Sequence, residues 1–255
     1  MVCRIIAMAL AASLSCASAL AQAGDALVDQ TRSRTTPPLP VLTPEARGDI
    51  MMARKMYREA IESFQTDPHK SAVIYNKIGI AYHQMQLLLS ARKNYEQAVK
   101  MKRDYAEALN NIGTVYYAQK SYRRAIGYYQ RALRLSQSAS IYSNLGTAYF
   151  ARKQYKEATE AYQEAFNRDP DVFEHKSNYG TLLQDRNVEE RAKFHYYLAK
   201  MYAKSGRNDL ALQYVRKALE EGFKERNKLT EDPEFQALRD TPEFKELLAL
   251  EPRVL

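Results

Sequence analysis

From residue 72 onward, large apolar side chains return at intervals of three and four, the spacing of one face of a helix. Tyr75, Ile78, Gly79 and Tyr82 show the pattern first; Leu109, Ile112, Gly113 and Tyr116 repeat it, and so do Tyr142, Leu145, Gly146 and Tyr149. Each stretch is followed by a second one in which small residues flank an aromatic: Ala91, Tyr95 and Ala98, then Ala125, Tyr129 and Ala132, then Ala158, Tyr162 and Ala165. Every pair of stretches predicts two helices in a hairpin. A glycine inside a helix costs about 1 kcal/mol against alanine. Its return at one place in the first helix implies a compensating gain, the close approach of the second helix.

The hairpins recur at a nearly fixed interval. Asn111-Ile112-Gly113-Thr114, Asn144-Leu145-Gly146-Thr147 and Asn178-Tyr179-Gly180-Thr181 are 33 and 34 residues apart, and Lys77-Ile78-Gly79-Ile80 precedes the first by 34. Such a period marks an array in which each unit buries its apolar face only by stacking on its neighbours. These residues, with the Ala-Tyr-Ala pattern and the helix stop at Asp169-Pro170, resemble the tetratricopeptide repeat (TPR) family. The resemblance is strong over residues 72 to 172. It implies an all-α fold, an α-α superhelix or TPR solenoid of antiparallel hairpins, with repeats at 72–105, 106–138 and 139–172. Arg103 and Gln137 stand where the family usually carries Pro, so those turns rest on other residues.

The flanks are less regular. Gly48, Tyr57, Ala60 and Phe64 outline a shortened unit over 44–71 that fits an N-terminal cap. Over 173–223 the register is divergent. Ala192, Tyr196 and Ala199 fit the second helix of a unit beginning near Phe173, whereas Leu198, Ala199, Tyr202, Gly206, Ala211, Val215 and Ala218 fit a fresh pair. Alternating antiparallel packing favours the first option. A long helix from about Val188 to Lys204 doing double duty, then one from Asp209 to Glu221, is expected. Over 224–255, Asp232-Pro233-Glu234-Phe235 and Thr241-Pro242-Glu243-Phe244 predict two short capping helices, each with an N-cap residue followed by Pro.

Composition changes the picture mainly at the N-terminus. Met1 to Ala23 carries one basic residue, Arg4, then an apolar stretch from Ile5 to Leu14, then small residues. This predicts a secretory signal peptide over 1–21, with Ala23 as a second cleavage position. A disordered linker over 22–43, holding the run Thr31-Arg32-Ser33-Arg34-Thr35-Thr36-Pro37-Pro38 and Pro40 with no apolar period, follows it. The expected location is periplasmic or secreted. Both cysteines, Cys3 and Cys16, fall in the signal, so the mature fold has no disulfide and rests on its core. Removing Arg4 lowers the formal charge from +8 to +7.

In the resembling family the inner face of the first helices lines a concave groove for ligands. Here that face holds Asn76, Ile80 and His83; Asn110, Thr114 and Tyr117; Ser143, Thr147 and Phe150; and Ser177, Thr181 and Gln184. This mostly neutral groove suits other proteins or extended peptides, with amides and hydroxyls meeting backbone groups and Tyr117 and Phe150 as anchors. With no Lys in it, the face does not suit the carboxylate clamp of chaperone-binding relatives. The same amides could instead bond hairpin to hairpin, and both readings stay open. Lys100, Lys102, Arg103, Arg123, Arg124, Arg131, Arg134, Arg152, Lys153 and Lys156 are expected on second helices and turns, on the convex side. With the tyrosines at core positions, nucleic acid is not an expected partner.

Catalysis finds no motif. His69, His83, His175 and His195 are single, without the i, i+4 spacing of a metal-binding helix, and there is no Gly-rich phosphate loop or Gly-x-Ser-x-Gly turn. The expectation is a non-enzymatic scaffold with no cofactor and no metal, touching membrane only through its signal or an anchor. Two other readings are a tethered assembly factor for pilus or outer-membrane biogenesis, lipidated at Cys16, and a substrate platform of a carbohydrate-active or peptidase system using Glu174 and Asp185. Ser13 stands where lipidation signals usually carry Leu.

Overall fold

The computed structural model describes residues 42–173 and 188–250. The signal segment, nearly all of the linker, and residues 174–187, with Glu174, Ser177, Thr181, Gln184 and Asp185, lie outside the described residues. Among those described, twelve α-helices follow in chain order. They are α1 Pro44–Ala53, α2 Tyr57–Gln65, α3 Ala72–Gln84, α4 Leu88–Met101, α5 Ala106–Ala118, α6 Tyr122–Leu133, α7 Ala139–Ala151, α8 Tyr155–Arg168, α9 Val188–Lys204, α10 Asn208–Glu220, α11 Asn227–Glu231 and α12 Pro242–Ala249. A 3-10 turn at Pro233–Phe235 separates the last two.

The first ten helices pair as five hairpins, each closed by the same turn. Lys55, Gln86, Lys120, Lys153 and Gly206 all take left-handed backbone, with φ between 56° and 72°. At the α5–α6 turn the Ser121 N–H donates to the Tyr116 carbonyl at 2.8 Å and the Lys120 N–H to the Tyr117 carbonyl at 2.8 Å. The other four turns repeat both bonds. This is a Schellman closure, which satisfies carbonyls at the helix end and reverses the chain within three residues. Thr43 and Ser71 cap α1 and α3 by accepting from Ala46 N and Ile74 N.

Inside the hairpins the recurring glycine has a measurable reason. A Cβ on Gly79, Gly113 or Gly146 would lie 2.5, 2.6 or 2.6 Å from the ring of Tyr95, Tyr129 or Tyr162. Gly48 stands in the same relation to Phe64. Each ring is at most 1% exposed, so nothing but hydrogen fits beneath it. Tyr129 and Tyr162 also donate their hydroxyls to Thr114 and Thr147 at 3.4 and 3.3 Å, which satisfies the polar end of a buried tyrosine.

After Arg168 the structure pairs α9 with α10. Relative to the left-handed Gly206, Ala199 and Val215 occupy the places that Gly113 and Tyr129 hold relative to Lys120. The described contacts make α9 the first helix of a hairpin with α10, one half of the expected double duty; the other half, toward a unit near Phe173, involves residues 174–187, which lie outside the described residues. The predicted bounds of α9 and α10 agree with the observed ones to one residue. Asp232-Pro233 starts only a 3-10 turn where a helix was expected. The Asp232 carboxylate accepts from Tyr196 Oη and meets Lys200 Nζ at 2.9 Å, so it does not cap. Thr241 does cap α12, accepting from Phe244 N at 3.3 Å.

Candidate functional site

The first helices α3, α5 and α7 bring the predicted groove residues onto one side, but burial divides them. Asn76, Asn110, Thr114, Thr147 and Phe150 are buried. His83, Tyr117, Ser143 and Ile80 are half-buried and remain available. The buried amides are joined to each other. Asn144 Nδ2 donates to Asn110 Oδ1 at 3.0 Å, Asn110 Nδ2 to Asn111 Oδ1 at 3.5 Å, Asn111 Nδ2 to Asn76 Oδ1 at 3.0 Å, and Asn76 Nδ2 to Glu107 Oε1 at 2.9 Å. One directed chain thus crosses three hairpins and ends on a carboxylate. These bonds hold hairpin to hairpin, one of the two roles open to the amides, while Asn110 also lines a recess open to solvent. Each such bond is worth about 1 kcal/mol net, and more is lost if one partner is orphaned.

Phe150 is likewise a core residue, at 3% exposure. Tyr155, Phe194 and Tyr197 surround its ring at centroid distances of 5.2, 5.9 and 5.9 Å, so it is not a groove anchor in the described fold. The cause is α9, which lays Phe194 and Tyr197 over the end of α7. Tyr117 keeps its place on the half-buried rim, packed at 5.2 Å on Tyr122. Burial lowers the pKa of His83 below its ordinary 6.5, so it faces the groove as a neutral imidazole at pH 7.

Among the described residues on this side, a recess of about 290 Å³ opens between the starts of α5 and α7. Ala106, Glu107, Asn110, Ser136, Ser138, Ser140 and Ile141 line it. It offers one exposed carboxylate, three hydroxyls and an amide edge, which suits backbone N–H groups or a cationic side chain. Burial and the neighbouring Glu107 raise Tyr105 to about 12, so this phenol is a donor at neutral pH. Glu107, Asn111, Asn144 and the serines were not among the predicted site residues. Asn111 and Asn144 do belong to the repeated phrase, and Glu107 stands three residues before Asn110 on the same face. A larger cleft of about 520 Å³ between α8 and α9 carries Glu160, Glu164, Glu234, Lys200 and Lys204. Its charges are partly compensated, since Lys200 pairs with Asp232 and with Glu234 at 3.3 Å.

Among the described residues no group of three or more His, Cys, Asp or Glu could hold a metal ion, and no helix is long and apolar enough to cross a membrane. The fold and this face define a scaffold of stacked helical hairpins. A family model for the tetratricopeptide repeat matches residues 76–140, and one for the fourth ARM domain of tetratricopeptide repeat protein 21 matches residues 109–240, more than half the chain. The chain belongs to the tetratricopeptide-repeat family.

Among curated proteins it is similar to the chloroplastic tetratricopeptide repeat domain-containing protein PYG7 of Arabidopsis thaliana. The two are 29% identical over 93 residues, 34% of this chain and 31% of that protein. It is also similar to the uncharacterized protein ycf37 of Porphyra purpurea, 27% identical over 108 residues, 38% of this chain and 62% of the relative. The matches thus span less than two thirds of either relative. Among solved structures, the APC/C hetero-tetramer Cut9-Hcn1 matches with a TM-score of 0.50 and 18% identity over 80% of this chain and 35% of that one. A crystal structure of MamA matches with a TM-score of 0.47 and 23% identity over 72% of this chain and 96% of that one. These are likenesses of fold.

Proposed function

We propose that this chain is a non-catalytic, exported TPR adaptor that holds one or more protein partners along the inner face of α3, α5 and α7, serving envelope assembly or secretion. The observation that carries the reading is the recess beside Glu107, Asn110 and Ser140, opened on a face whose amides already lock successive hairpins together. Cross-linked hairpins present a rigid surface, and a rigid surface loses little entropy on binding. Tyr117, His83 and Ser143 extend the contact along the rim, where an extended segment satisfies its backbone against hydroxyls and amides.

The test is site-directed photo-cross-linking in cells, with p-benzoylphenylalanine replacing Ser140 or Tyr117 and, as a control, the exposed Arg216 of α10. The expected result is the same adduct proteins from Ser140 and Tyr117 and none from Arg216. Adducts from Arg216 alone would overturn the groove reading. Export is tested on the same samples by the mass of the mature N-terminus. Cleavage after Ala21 or Ala23 supports it, an intact Met1 removes it, and a lipidated Cys16 transfers the protein to the tethered alternative.

A further inference from the structure

The chain's excess positive charge is concentrated in one place. The formal net charge is +8, and residues 88–134, from the start of α4 to just past α6, hold ten Lys or Arg against three Asp or Glu, an excess of seven. Among the described residues only Arg92 of these ten cations has a carboxylate partner, Glu96 at 3.5 Å. Exposed charge by itself needs no explanation beyond solubility. Its arrangement here is more specific. Arg92 and Arg124 lie over the Tyr116 ring at 5.6 and 5.5 Å, Tyr116 stacks on Tyr128 at 5.4 Å and 22°, and Arg131 lies over Tyr128 at 5.0 Å. The two tyrosines hold arginines of α4 and α6 in one group.

At the centre of that group on α6 is Gly127. The four other helical glycines described sit beneath an aromatic ring; a Cβ on Gly127 would meet nothing within 4 Å. A glycine in a helix interior weakens the helix, and no neighbour among the described residues requires this one. Arg123, Arg124, Gln130, Arg131 and Arg134 stand at i−4, i−3, i+3, i+4 and i+7 from it, along one side of the helix. All five are exposed. The result is a stretch of bare backbone bordered by cations.

We propose that this face of α6 is a second docking surface, separate from the groove, for an acidic amphipathic helix of another protein. The incoming helix crosses at Gly127, where the missing side chain permits close approach, and its Asp and Glu residues meet Arg123, Arg124 and Arg131. A single-stranded nucleic acid fits less well, because the tyrosine faces on which bases would stack are engaged by arginines and by each other. A lipid surface also fits less well, because α6 exposes no large hydrophobic side chain to insert.

The full chain is titrated, with anisotropy readout, against a labelled helical peptide of Ala and Glu with Glu at every third and fourth position. An oligothymidylate and phosphatidylserine vesicles are measured in parallel. Arg123→Gln/Arg124→Gln/Arg131→Gln is expected to weaken peptide binding about tenfold, the loss of three partly solvated ion pairs. Arg216→Gln/Lys224→Gln/Lys245→Gln, which removes equal charge elsewhere, leaves it unchanged. Gly127→Gln keeps every charge and raises the thermal midpoint, yet weakens the peptide about fivefold by blocking the approach. Equal loss in both triple variants, unchanged binding by Gly127→Gln, or tighter binding of oligothymidylate or vesicles than of peptide overturns the proposal.

Discussion

The α5–α6 hairpin and the α9–α10 hairpin share a turn and a register, yet they fill their interiors differently. In the first, Gly113 leaves room for the whole Tyr129 ring. In the second, Ala199 and Val215 hold the equivalent places, and aromatic volume moves to the sides. Tyr202 stacks on Tyr214 at 5.3 Å, Phe166 meets Tyr202 edge-on at 5.5 Å, and Tyr196 stacks on Phe223 at 4.5 Å. The polar connections differ too. The central hairpins are joined by neutral amides, whereas α9 is tied to the C-terminal cap by Asp232 with Tyr196 and Lys200. What recurs between these hairpins is a left-handed turn residue and the spacing around it, not a particular pair of side chains.

The largest expected effect breaks the comparison at the ring. Tyr129→Ala removes one of the largest fully buried side chains and should cost about 3–5 kcal/mol, while Val215→Ala removes two methyl groups and should cost about 1.5–2 kcal/mol. Urea unfolding of both variants measures the ratio, and equal costs would remove the distinction between the two interiors. Next, Gly113→Ala drives a Cβ against the Tyr129 ring and should destabilise by about 1–2 kcal/mol, overpacking outweighing the gain in helix propensity. In a Tyr129→Val background, which imports the pairing of α9–α10, that penalty should vanish or reverse. A double-mutant cycle reads the coupling directly.

The smallest effect concerns the cap. Burial alone would raise the Asp232 pKa, but the Tyr196 hydroxyl and the Lys200 ammonium outweigh it and hold it below the ordinary 3.8. The folded state therefore binds this proton less readily than the unfolded chain. Its stabilisation is complete above 3.8 and is lost as pH falls through the folded value. Asp232→Asn should cost about 1 kcal/mol at neutral pH, discounted for the partial exposure of the pair, and should remove this part of the acid dependence. Thermal midpoints measured from neutral pH down past that window check both, and parallel acid profiles would assign the dependence to other carboxylates.

Much of the fold was legible because the repeat writes itself into local spacing. Gly48, Gly79, Gly113 and Gly146 each precede their ring by sixteen residues, which is the distance around one hairpin. Gly180 precedes Tyr196 by the same sixteen, and this is why α9 read equally well in two registers. Nothing local separates them, since Ala199 serves either as the small residue closing a second helix or as the small residue opening a first. The candidate site was legible only as a face. That Asn76, Asn110, Thr114 and Thr147 share a side follows from helical periodicity, but the threonines meet tyrosines 15 residues away on the second helix of their own hairpin, and the asparagines meet partners 31 to 35 residues away across hairpin interfaces.

The sequence by itself determined the hairpins, their interval, the glycine under each ring and the membership of the family, because each depends on contacts within one or two turns of helix or across one short loop. Only the tertiary structure decided that the asparagines bond to one another, that Phe194 and Tyr197 cover Phe150, and that Arg92 of one hairpin joins Arg124 and Arg131 of the next around Tyr116 and Tyr128. Those outcomes depend on how far each hairpin is rotated against its neighbour. That rotation is set by the summed packing of the whole stack rather than by any residue in it.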